Sequence, residues 1–173
     1  MKVDLGIIIA AIALLISFAT LLFTELRARG DIRAAWYREV VSWARDCVKE
    51  LSAAHELCAT HVTDADHIRM QRHRVLAGLT SLIDEGRFLF ENDRSVPIGL
   101  DKPRAYQGAR PRIMDYLVVS YDRVRDLGDN PDPAMRDFFC EHIIDAKRRF
   151  VSDVQEAIEP RWFARRAQFD KKI

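Results

Sequence analysis

The chain has 173 residues, 49% of them hydrophobic, with 27 basic residues against 26 acidic ones and a formal net charge of +1. That length holds one domain of ordinary size beside a membrane segment. The balanced charge excludes a globally basic nucleic-acid binder, so no nucleic acid is expected as a partner, and the apolar content excludes a disordered polyelectrolyte.

Residues 5–24 carry no charge, and as a helix they would measure about 30 Å, the thickness of a bilayer's hydrocarbon core. The predicted organisation therefore begins with a short extracytoplasmic head, 1–4, and a transmembrane helix, 5–26. A cleaved signal peptide fits less well, because the apolar run is too long and no small-x-small site stands out. Only Lys2 precedes the run, whereas Arg27, Arg29, Arg33 and Arg38 follow it, so the positive-inside bias places the N-terminus out and the C-terminus in the cytoplasm. Within the run, Gly6, Ala10, Ala13, Ser17, Thr20 and Thr24 recur at intervals of four and three. Such a seam lets helices approach closely in lipid, and it predicts a homo-oligomer or a subunit of a membrane complex.

A cytoplasmic helical bundle is predicted over 27–159. Ile32, Trp36, Val40, Trp43, Cys47, Leu51, Ala54 and Cys58 recur at helical spacing, with Tyr37, Val41, Ala44 and Val48 as a second strip beside them. Gly30 is the weak point of a helix that could run on from the span. A second helix should start near Thr63 or Asp64 and end about Phe90, and a loop over 91–109 should lead into a third through Ile113, Met114, Leu117, Val118, Tyr121 and Val124. Gly128 should stop that helix. Asp132-Pro133 should open a fourth through Met135, Phe139, Ile143, Phe150, Val154 and Ile158, ended by Pro160. The fold class is thus all-α, an N-terminal transmembrane helix followed by an antiparallel four-helix bundle, with a basic aromatic tail over 160–173.

That topology gathers basic residues at the membrane-proximal end, around Arg27 and Arg29, around Arg104, Arg110 and Arg112, and around Trp162, Phe163, Arg165 and Arg166. An anionic inner leaflet would attract such a collar. Acidic residues at 50–66 and 126–137 are expected at the opposite end.

Signatures of chemistry are few. Cys47, Cys58 and Cys140 form no CxxC-type pair, which fits a reducing compartment, and the first two should be core residues. His55, His61, His67 and His73 recur every six residues, so neighbours point about 120° apart and cannot share a metal. Asp64-x-x-His67 is one acid-x-x-His pair where a di-iron bundle needs two. No cofactor, no metal and no catalytic residue is expected. Glu141 and Asp145 read as a solvated face. Asp84, Glu85 and Arg87 could line a pocket with Tyr106, Arg110 and Asp115, or Arg110 and Arg112 could pair with those same carboxylates and pin the loop.

At "GRFLFEN", 86–92, and "AYQGARPRIMDYLVVSYD", 105–122, the chain resembles a group of uncharacterised bacterial single-pass membrane proteins with a small helical cytoplasmic domain. The resemblance covers about the middle third and rests on G-R-x-x-F-x-N and Y-x-G-x-R-x-x-I-x-D. It implies the bacterial inner membrane and transfers no catalytic residue, and it draws Arg87, Asn92, Tyr106, Gly108, Arg110 and Asp115 together as one loop unit. The functional expectation is a membrane-anchored interaction or scaffold protein and not an enzyme. The alternatives are a defence or stress effector that perturbs the membrane on assembly and an enzyme using a pocket at the 87–115 loop.

Overall fold

Apolar residues spaced three and four apart give each long segment a face that only another helix can cover, and the protein is all-α. The computed structural model describes residues 5–60, 65–128 and 132–158, apart from the side chains of residues 5, 7–11 and 65. Four helices are present there, α1 Leu5–Ala59, α2 Ala65–Leu89, α3 Arg112–Asp126 and α4 Pro133–Ile158, and no strand. The chain divides into two compact units between Glu39 and Val40.

The first unit is described through α1 alone. Ile12, Leu14, Leu15, Ile16, Phe18, Leu21, Leu22, Phe23 and Leu26 are exposed. The hydroxyls of Ser17, Thr20 and Thr24 each donate to the carbonyl four residues earlier, at 2.8 Å. Among the described residues no helix is long and apolar enough to cross a membrane; residues 7–11 of the expected span lie outside the described side chains. Ile32 is 71% exposed, which corrects its expected place on the core face: buried positions of that face begin at Val40. Gly30 does not interrupt α1, and a Cβ there would meet nothing within 4 Å.

The second unit is a four-helix bundle, and its contacts fix the directions. Along α1, Trp43 donates from Nε1 to the Leu82 carbonyl at 2.9 Å, while the Glu50 carboxylate lies against Gly78, so α2 runs antiparallel. Trp43 also stacks on Phe150 at 5.6 Å, Ser52 accepts from Lys147 Nζ at 3.1 Å, and Arg136 donates to the Thr60 carbonyl. These contacts make α4 antiparallel to α1. Tyr116 reaches Asp153, and Arg123 lies over the rings of Phe138 and Phe139, so α3 and α4 are antiparallel too. The bundle core takes Trp43, Cys47, Leu51 and Cys58 from α1, Leu79 from α2, Leu117 and Val124 from α3, and Ile143 and Phe150 from α4.

Local chemistry ends the helices. Gly128 has φ +68°, the left-handed conformation that stops α3 as its sequence indicates. Pro133 opens α4, where the Asp132 carbonyl accepts from Arg136 N–H at 2.9 Å. Met135 is exposed, a correction to its expected core role. Its neighbour Arg136 is buried in its place and closes that end of the bundle on Thr60.

Candidate functional site

The stretch between α2 and α3 is an ordered loop whose neck is tied by main-chain pairing. Asp93 N–H donates to the Ala109 carbonyl at 2.8 Å, and Ala109 N–H to the Asp93 carbonyl at 2.9 Å. Gly108 stands beside this bridge with φ +87°, and a Cβ on it would lie 2.5 Å from the Asp93 carbonyl oxygen. Both the conformation and the space require glycine. The Asp93 carboxylate accepts from the Ser95 N–H at 2.9 Å and from its hydroxyl at 2.6 Å, and these two bonds hold its pKa below the usual carboxylate value.

Each position of the two motifs has a place in this unit. Gly86 is the point where three helices converge, since a Cβ there would lie 2.4 Å from Met114 Sδ and 2.9 Å from Trp43 Cζ2. Phe90 stacks on Trp43 at 5.3 Å. The Arg87 guanidinium lies 4.2 Å from the Tyr106 ring centroid, in cation–π geometry. Tyr106, which closes the 3₁₀ turn Arg104–Tyr106, sends its hydroxyl to Asp84 Oδ1 at 3.4 Å. Asn92 Nδ2 donates to the carbonyls of Gln107 at 2.9 Å and Ala105 at 3.4 Å. Arg110 Nε faces Asp115 Oδ1 at 3.4 Å, and Ile113 enters the core.

Arg87, Tyr106, Gly108, Arg110 and Asp115, with Lys102 and Ile98, line a cleft of about 390 Å³. Asn92 sits beside it, in the loop's hydrogen bonds. Arg87 is the covered member, its side chain 16% exposed; Nε lies 3.4 Å from Asp84 without a hydrogen bond, and Nη1 reaches the Ala105 carbonyl at 3.4 Å.

Arg112 belongs to a different set. Its Nε donates to the Tyr116 hydroxyl at 2.9 Å, and that hydroxyl donates to Asp153 Oδ2 at 2.9 Å, with Arg112 and Asp153 3.4 Å apart. The hydrogen bond to Tyr116, then the charge of Asp153, raise the Arg112 pKa. Partial burial and the bond to Asp153 raise that of Tyr116. The triad ties the start of α3 to α4, so Arg110 and Arg112 both face carboxylates.

The remaining expected residues disperse. Gly6, Ala13, Ser17, Thr20, Thr24, Arg27 and Arg29 are exposed on α1, with Arg29 paired to Glu25 at 3.1 Å. Ala10 lies among the undescribed side chains, and Trp162, Phe163, Arg165 and Arg166 lie outside the described residues. Arg104 is exposed. Cys47 and Cys58 are buried as expected, and burial pushes both thiols up, Cys58 to about 12, which makes them poor nucleophiles. Glu141 and Asp145 are exposed, Asp145 pairing with Arg149 at 2.8 Å.

Sequence reasoning missed Asp153, Ile98 and the tie at Asp93. Asp153 meets Arg112 across a separation no local pattern signals, while Asp-x-Ser at 93–95 is a turn signature that was there to be read. Comparison with protein-family models, with curated proteins and with solved structures finds no match.

Proposed function

We propose that the protein is a membrane-anchored helical interaction or scaffold protein, held by residues 5–26 and oligomerising through the small-residue seam, with the bundle on the cytoplasmic side. The observation that carries this reading is the character of α1 over residues 12–26. Its large apolar side chains are exposed, and at 100° per residue they cover every direction except a sector of about 140°. Ala13, Ser17, Thr20 and Thr24 fall inside that sector. So wide an apolar face requires an apolar surrounding, and hydroxyls already bonded to their own backbone present no unsatisfied donor to lipid.

The seam then faces a second helix, a copy of this chain or another subunit's. Arg27, following directly, is placed to meet anionic headgroups of the inner leaflet, at about 1 kcal/mol for a basic residue near such a surface. No catalytic role is assigned to the loop.

Crosslinking in native membranes tests the seam. Replacing Ala10, Ala13 and Ser17 together by Leu should abolish the homo-oligomer or the heterologous adduct, whereas Leu14→Ala and Leu21→Ala, outside the seam, should leave it. Equal crosslinking in all three would contradict the reading.

A further inference from the structure

The cleft at the loop is rich in donors and poor in acceptors. Arg87, Lys102 and Arg110 bring three cations to its wall, against Asp115 on the wall and Asp84 behind Tyr106. Neither arginine is saturated by these acids. Arg87 Nε and Arg110 Nε stand 3.4 Å from their carboxylates without a hydrogen bond, and the ammonium of Lys102 makes no ion pair among the described residues. Arginine's planar fork of donors matches phosphate, and lysine adds a point charge. The Tyr106 ring fixes Arg87 from one side, so little side-chain entropy is left to lose when an anion binds. Ile98, 53% exposed, supplies an apolar wall, which suits an ester better than a bare ion.

We infer that this cleft is a binding site for a phosphate ester, held by Arg87, Lys102 and Arg110 and seated against Ile98. The ester can come from a lipid headgroup or from a soluble metabolite, since both present the same group. The site needs nothing from the apolar stretch of α1, so it stands or falls separately from the membrane reading.

Lys102 reports on occupancy. In the full chain in detergent micelles, amine acetylation followed by mass spectrometry should show Lys102 protected several-fold by glycerol 3-phosphate at fixed ionic strength. In nanodiscs the comparison is phosphatidylglycerol against phosphatidylcholine. Lys49, exposed and paired with Asp46 on α1, serves as the internal reference. Protection by glycerol 3-phosphate assigns a soluble ester, and protection by phosphatidylglycerol alone assigns a headgroup. Arg110→Gln should remove the protection. Asp115→Asn should strengthen it, an opposite sign that a merely structural role for these residues would not give. Absence of protection by both probes, or protection unchanged in Arg110→Gln, would overturn the assignment.

Discussion

The same side chains, Leu, Ile and Phe, have opposite fates in the two units. In residues 12–26 they stand exposed around the helix, whereas in residues 40–158 Leu51, Leu79, Leu117, Ile143 and Phe150 are fully buried. The difference is one of periodicity. The bundle helices alternate apolar and charged faces, so four of them close a core by themselves. The first stretch instead shows its large apolar side chains over most of its circumference, leaving one sector to Ala13, Ser17, Thr20 and Thr24.

That contrast can be broken first at the core. Phe150→Ala should cost the bundle about 3–5 kcal/mol, seen as a large fall in the denaturation midpoint followed by circular dichroism. Leu15→Ala, in the exposed stretch, should leave that midpoint almost unmoved. A similar fall in both would mean that the two stretches fold as one.

Next in size is Gly108→Ala, which sets a Cβ against the Asp93 carbonyl in a left-handed conformation. A loss of about 1–3 kcal/mol is expected, with faster amide exchange at Asp93 and Ala109 than in the bundle helices. Tyr106→Ala should cost less, about 0.5–1 kcal/mol for the exposed stack with Arg87, while Tyr106→Phe keeps the ring and should be nearly silent by thermal melt.

The smallest expected effect is on acidity. Because Asp93 is more acidic in the folded loop than in the unfolded chain, its contribution is present above the ordinary carboxylate pKa and is lost as pH falls through the lowered folded value. Exchange at the Asp93 and Ala109 amides should therefore accelerate in acid before the helices unfold. In Asp93→Asn that acid step should be absent.

Much of the bundle was legible because helices write their faces locally. The spacing from Val40 to Cys58, Gly128 as a stop and Asp132-Pro133 as a start each follow from a few neighbouring residues. Ile32 and Met135 show the limit: periodicity marks an apolar position but cannot say whether a neighbour reaches it. The loop unit was legible as a set of residues, since its motifs name Arg87, Asn92, Tyr106, Gly108 and Asp115, yet its geometry was not. The stack of Arg87 on Tyr106, the approach of Gly86 to Met114 and Trp43, and the Arg112–Tyr116–Asp153 triad all depend on how the helices meet. The pairing of Arg110 and Arg112 with carboxylates was legible in part: Arg110 faces Asp115 within the loop unit, whereas Arg112 faces Asp153 on α4, which no local pattern indicates.

Alkaline carbonate extraction of membranes from cells making the full chain tests most directly whether the exposed apolar stretch of α1 lies in lipid. Retention in the membrane pellet, with release only by detergent, is the expected result. Recovery of the folded protein in the carbonate supernatant would contradict it.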